Sequence, residues 1–200
     1  MNKYGVLFTL FGGILAAYGP LFGGWAWLLV WPAASFFLVG LAYLGLGPRV
    51  FGKRANGRLS WWSPLVVGPY IAALWATWFV MRLVTREPAY NEVAPNLFVG
   101  RRPLANDAPP DAALVVDMTA EFRAAPLDWS RTTYLTLPTL DTAAPPEADF
   151  DRIVALAAIE RGPVLIHCGQ GHGRAAMLAA AVLVARGLAE DAAEAERILK

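Results

Sequence analysis

The stretch Pro163-Val-Leu-Ile-His167-Cys168-Gly169-Gln170-Gly171-His172-Gly173-Arg174-Ala175 decides how the rest of the chain is read. Val164 to Ile166 is short, apolar and rich in β-branched residues, the pattern of a buried strand. It ends at His167 and at Cys168, the only cysteine in the protein. Glycines then alternate with polar residues, and a run of alanines, leucines and valines beyond Arg174 predicts a helix. Backbone N–H groups at a helix N-terminus lack partners and lie at the positive end of the helix dipole. Glycines allow several of them to turn towards one anion, so strand, loop and helix together predict a phosphate cradle. A cysteine at its mouth is favoured as thiolate, a strong nucleophile. Arg174 adds a planar, permanently charged fork for two phosphate oxygens.

His167-Cys168-x-x-Gly171-x-x-Arg174 resembles the H-C-x-x-G-x-x-R signature of the cysteine-dependent protein tyrosine phosphatases, in particular the compact dual-specificity branch. Five residues separate Cys168 from Arg174, the CX5R spacing. Rhodanese-like domains also carry a cysteine in such a loop, usually a shorter one. The competing reading is a buried structural cysteine beside a glycine turn. The resemblance implies Cys168 as nucleophile, and Gly169, Gln170, Gly171, His172 and Gly173 with Arg174 as the phosphate-binding loop. It implies that His167 orders the loop. His172 faces either substrate or solvent.

The composition divides the chain in two. Hydrophobic residues make up 56% and charged residues 16%, with a mean hydropathy of +0.42, more apolar than an ordinary soluble domain. Residues 1–87 hold seven basic residues and one acid, whereas 88–200 hold ten basic residues and fifteen acids. Seven of the eight tryptophans precede residue 80. Two solvents are implied, and a boundary is predicted at 87/88.

Residues 1–87 read as an all-α transmembrane region. Uncharged runs predict spans over 4–22, 25–47 and 64–84, the last with Arg82 reaching for the interface. Trp25, Trp27, Trp61 and Trp62 lie at span edges, as interfacial aromatics do. A signal peptide competes for the first run, but no clear cleavage site follows and two further runs do. Gly12 with Ala16, or Gly40 with Gly45, are candidate helix-packing positions, although such residues are more often ordinary small ones. Four basic residues in Arg49–Arg58 place that loop in the cytoplasm and the Cys168 domain outside. Arg82, Arg86 and the need for a reduced thiol argue the other way, so the side stays open. The expected location is the inner membrane of a bacterium, the source being suggested by the excess of arginine and alanine.

Residues 88–200 predict an α/β domain with a mainly parallel sheet covered by helices on both faces. Strands are expected over 96–100, 113–118, 133–137 and 164–166, and helices near 146–160, 175–186 and 189–200. Asp117 is expected at a strand end, with Glu121 and Arg123 at the surface. Arg101-Arg102 reads first as a solvated pair and second as an anionic headgroup or substrate contact.

Hydrolysis of a phosphate ester needs a proton for the leaving oxygen and later a base for water. In the resembled family an aspartate on a loop upstream of the cysteine does both, and Asp141 in Pro138-x-x-Asp141 matches it by position. A turn or helix-capping aspartate is the alternative, and Asp149 and Asp151 are rivals inside the predicted helix. Ala175 departs from the family, which usually has serine or threonine there to help the thiolate leave, so slow phosphoenzyme breakdown is expected. The resemblance covers residues 95–200 and implies one more helix than the chain up to Lys200 provides, so a C-terminal truncation is expected.

The sequence thus predicts a membrane-anchored phosphatase with no cofactor, no metal and no nucleic acid. Its partners are the bilayer and a phosphorylated protein, with a phospholipid (phosphatidylglycerophosphate or phosphoinositide-like) as the alternative substrate. A pseudophosphatase that binds phosphorylated partners is the alternative of another class.

Overall fold

The computed structural model describes residues 2–105, 107–109, 111–127 and 130–200. The chain divides into two compact units. The first comprises Met1–Arg54, Arg58–Thr85 and Ala120–Phe122, and the second Ala55–Gly57, Arg86–Thr119 and Arg123–Lys200.

The first unit is helical. Helix α1 runs over Lys3–Phe22, capped by the Asn2 side chain, which accepts from the Tyr4 N–H. A 3₁₀ segment, Gly24–Leu29, leads into α2 (Val30–Leu41), which ends in a wider turn at Ala42–Leu46. Helix α3 covers Ser63–Val84. Three stretches are long and apolar enough to cross a membrane, Lys3–Phe22, Gly24–Leu46 and Ser63–Val84. Small residues bring α1 and α2 together. Gly5, Gly12 and Gly19 are the buried residues of α1. A Cβ on Gly12 would lie 2.8 Å from the Ala33 carbonyl oxygen, and one on Gly40 would strike the Thr9 hydroxyl. Gly40 and Gly12 therefore are packing positions, whereas Gly45 faces open space at φ 145° and serves the turn. Pro69 inside α3 has no N–H for the Leu65 carbonyl. The Trp31 indole of α2 donates to that carbonyl at 2.7 Å, and the Ser35 hydroxyl accepts the Tyr70 N–H at 3.2 Å.

The second unit is built on a five-stranded sheet in the order β1-β2-β5-β3-β4. The strands are β1 (Tyr90–Ala94), β2 (Leu97–Arg101), β3 (Leu114–Thr119), β4 (Thr133–Thr139) and β5 (Val164–Cys168). The pairings β2–β5, β5–β3 and β3–β4 are parallel, and β1 adds an antiparallel edge on β2. The sheet is therefore mixed, and β1 was not expected: Tyr90–Ala94 is short and half polar, and pairing with β2 defines it as a strand. β3 and β5 are buried at every residue, as central strands covered on both faces must be.

Three helices follow the strands: α4 (Glu147–Ile159), α5 (Arg174–Ala185) and α6 (Ala192–Ile198). Ile153 and Ala157 of α4, Leu178, Ala179 and Val182 of α5 and Ala195 of α6 share one core with Leu97, Val116 and Ile166 of the sheet. The opposite face carries a smaller cluster of Ala112, Val115 and Leu165 with Tyr90, Phe98 and Tyr134. Among the described residues no helix of this unit joins that second cluster. The expected two helical layers are corrected to one.

Candidate active site

The end of β5 and the start of α5 place Cys168 and Arg174, the two ends of the candidate loop. β5 alternates its side chains, so Ile166 and Cys168 face the helical core while His167 faces the other side. Cys168 is buried, with 3% of its surface exposed, and its sulfur accepts the Gly171 N–H at 3.2 Å. Gly171 has φ 95°, a region closed to most side chains, and a Cβ there would lie 2.8 Å from the Gly100 carbonyl carbon. Glycine at 171 thus lets the loop curl back over the sulfur while resting on β2. The Gly169 carbonyl accepts from the Arg102 N–H at 3.3 Å, a second tie just past the end of that strand. Gly173 precedes α5, and its carbonyl receives the Met177 N–H.

Arg174 is the first residue of α5 and is 5% exposed. Its Nη1 donates to the Thr139 carbonyl at 2.7 Å, which fixes the guanidinium beside the loop. Asp141 follows β4 and pairs with Nε of Arg174 at 3.4 Å while remaining 66% exposed. The structure therefore pairs Asp141 with Arg174, the residue at the helix end of the loop that starts at Cys168. The rivals are elsewhere: Asp149 and Asp151 lie in α4, and Asp149 pairs with Arg152 at 3.7 Å. Gln170 and His172 lie within the loop, and His172 Nε2 meets the Glu87 carboxylate at 3.0 Å on the exposed side.

Behind the loop lies a polar group that the sequence concealed. Asp117 sits within β3, opposite His167 of β5, and is fully buried rather than at a strand end. One carboxylate oxygen accepts the Thr119 N–H at 2.8 Å and its hydroxyl at 2.7 Å; the other accepts the Tyr134 hydroxyl at 2.9 Å. His167 Nε2 is 3.9 Å from that second oxygen. Burial and the neighbouring carboxylate both push the Tyr134 pKa up, so it stays a hydrogen-bond donor. A charge inside the apolar run Leu114-Val-Val-Asp-Met118 is the sequence signal for this group. Buried charge has to be compensated, and here the hydrogen bonds come from Thr119 of β3 itself and from Tyr134 of β4.

Arg102 and Glu121 are likewise buried, at 2% and 6% exposure, not solvated. Arg102 donates to the Arg123 and Ala124 carbonyls at 3.3 and 3.2 Å, so it braces the backbone. Among the described residues, no three His, Cys, Asp or Glu side chains gather where a metal ion could be held.

Residues 111–199 match the family model described as PTP-SAK, a Swiss Army Knife protein with a DSP-PTPase phosphatase domain. The second unit is thus similar to a dual-specificity phosphatase domain. Similar solved structures include a mouse protein described as a dual-specificity phosphatase, complexed with zinc tungstate. It is 21% identical, the match covers 58% of this chain and 76% of that one, and the TM-score is 0.48. Human DUSP28 is 25% identical over 57% of this chain and 80% of its own, with a TM-score of 0.44. A human tyrosine phosphatase-like serine/threonine/tyrosine-interacting protein is 17% identical over 56% and 82%, with a TM-score of 0.47. No curated protein matches the chain.

Proposed function

We propose that the protein is a membrane-anchored phosphatase that hydrolyses phosphate monoesters through a phosphocysteine. The observation that carries this reading is one loop with the Cys168 sulfur under the Gly171 N–H at its start and, at its end, the Arg174 guanidinium paired with the Asp141 carboxyl. The Cys168 thiolate attacks phosphorus. The S–P bond forms as the P–O bond to the leaving group breaks, and Asp141 gives its proton to the departing oxygen. Arg174 and the loop N–H groups bind the equatorial oxygens, where charge stabilisation supplies most of the rate. Asp141, now a carboxylate, takes a proton from water as it attacks phosphorus. Inorganic phosphate leaves and the thiolate returns. Ala175, fully buried at the start of α5, offers no hydroxyl to the departing sulfur, so the second step is the slow one.

His167 orders the loop from the buried side through its place opposite Asp117. Membrane insertion is supported by the three apolar helices and by their exposed faces, where Leu10 is 61%, Trp25 87% and Leu83 85% exposed. Phosphotyrosine, phosphoserine and phosphothreonine on proteins are the default substrates of the resembled family. A phospholipid is the second reading, favoured by those same apolar helices.

The test is phosphate release by the full chain in detergent or vesicles. Cys168→Ser is expected to lower it at least about 10³-fold, in line with loss of a covalent nucleophile. Asp141→Asn should cost about 10²-fold or more with an alkyl ester and far less with an ester whose leaving group needs no proton. Release that survives Cys168→Ser unchanged would sink the thiolate mechanism. A variant that binds a phosphorylated ligand in a wild-type manner, with no turnover by either protein, would favour the pseudophosphatase.

A further inference from the structure

The phosphate loop accounts for one anion, yet a second cation stands beside it. Arg101 is the last residue of β2 and pairs in register with Cys168 of β5. Adjacent strands lie about 4.8 Å apart and residues paired across them point to the same face. Arg101, Val99 and Cys168 therefore share the face on which α5 packs. Arg101 is only partly buried, but its Nε is fully enclosed and makes no hydrogen bond among the described residues. With no hydrogen bond to the protein at Nε the guanidinium is not committed to the fold, and its terminal nitrogens can take an anion as a charge-assisted pair.

The space for such an anion is present. A cavity of about 300 Å³ opens beside the loop, walled by Arg101, Gln170, Gly171 and His172, with Glu87 and Lys200 at its margin. The two other ionised groups at that margin are engaged: Glu87 holds His172 at 3.0 Å and Lys200 pairs with Glu196 at 3.0 Å. Arg102 does not compete for the anion, because it is buried on the Arg123 and Ala124 carbonyls. The two neighbouring arginines thus have different tasks, one structural and one directed at the cavity. Its volume lies at the small end of the range for ligand sites, so it suits a compact headgroup better than an extended peptide.

We infer that Arg101 and this cavity form a second anion subsite, and that the substrate is a phosphate monoester bearing a second phosphate. The inference rests on the phosphatase reading: the first phosphate lies in the Cys168 loop and the second on Arg101. A water-soluble bisphosphate and a lipid headgroup offer the same chemistry.

Two measurements on the full chain in detergent test it. In the first, the Cys168→Ser protein is titrated with inorganic phosphate and with propane-1,3-diyl bis(phosphate). The bisphosphate is expected to bind about 10- to 100-fold more tightly, the gain from one charge-assisted pairing. Arg101→Gln in that background removes the gain, and Arg101→Lys restores part of it. In the second, kcat/KM is compared between the bisphosphate and p-nitrophenyl phosphate. Arg101→Gln lowers their ratio about 10-fold or more, chiefly through KM. A parallel arm offers phosphatidylcholine vesicles containing phosphatidylglycerophosphate. A larger Arg101-dependent preference there assigns the subsite to a lipid headgroup, and a larger one in solution assigns it to a free bisphosphate.

Phosphate binding without a gain for the bisphosphate overturns the subsite while leaving the phosphatase reading intact. So does a wild-type preference for a singly phosphorylated peptide. Failure of even inorganic phosphate to bind overturns the phosphatase reading itself. Because the wild-type preference is required, the proposal stays open to refutation even if the Arg101 variants do not fold.

Discussion

The two units use the same apolar alphabet in opposite senses. In the first, the buried residues of α1 are all glycines, and Ala33, Ser35 and Gly40 are among those of α2, while Leu7, Leu10, Ile14 and Leu21 are more than half exposed. In the second, Leu97, Ile166, Leu178 and Leu183 are sealed inside, and the charges lie at the surface except for Arg102, Asp117 and Arg174. Leucine goes to the interior where the surroundings are water, because burial removes apolar surface from it. Where the surroundings are hydrocarbon, leucine gains little by burial, and close backbone approach through small residues takes over. The small residues hidden in the first unit are those that the membrane anchoring proposed above calls for.

Exchanges of side-chain size are the direct way to break this comparison. Leu178→Ala should cost about 2–5 kcal/mol, the range for a leucine removed from a well-packed core. Thermal unfolding followed by near-UV dichroism and by loss of phosphate release would measure it. Gly40→Leu should cost about 1–3 kcal/mol through overpacking against Thr9, read as a lower midpoint for helix loss in detergent. If enlarging Gly40 is harmless, the small-residue account of α1 and α2 is wrong. Leu10→Ala should lie within about 0.5 kcal/mol of the parent in the same assay. A cost near that of Leu178→Ala would mean that Leu10 is a core residue in disguise.

A finer test sharpens the second half of the comparison. Tyr134→Phe leaves the buried Asp117 carboxylate short of a donor and should cost about 1.5 kcal/mol. The effect depends on pH with a definite sign. Tyr134 ionises less readily in the folded protein than in the unfolded chain. Its contribution is therefore fully present below the ordinary tyrosine pKa of about 10 and is lost as pH rises beyond it. Alkaline midpoints of the wild type should fall more steeply than those of Tyr134→Phe. Parallel curves would remove Tyr134 from the account.

Much of this could be read from the chain alone, for physical reasons. The span edges near residues 22, 25 and 84 come within a residue or two of the helix ends because uninterrupted apolar runs leave few other outcomes. The loop from His167 to Arg174 was legible because cysteine, glycines and arginine at that spacing in a strand–loop–helix setting have few other uses. Asp141 was legible only by position, and its pairing with Arg174 needed coordinates. The Thr139 carbonyl that holds Arg174 was hidden, since Pro138 made the strand look finished at Leu137 and a backbone acceptor has no sequence signature. Arg102 and Glu121 misled for a different reason: charge reads as surface, and only packing reveals the exceptions.

Gly171 resting on the Gly100–Arg101 backbone has one more implication, for anyone who cuts the gene. The family match begins at residue 111, past both β1 and β2. A fragment trimmed to that match would lose the floor under its Cys168–Arg174 loop together with one of the two neighbours of β5. The shortest piece that keeps the loop in shape therefore starts no later than Leu97. Including Tyr90 adds the edge strand that covers β2. A recombinant domain begun at 111 should be insoluble or inert, and that failure would say nothing about the chemistry of Cys168.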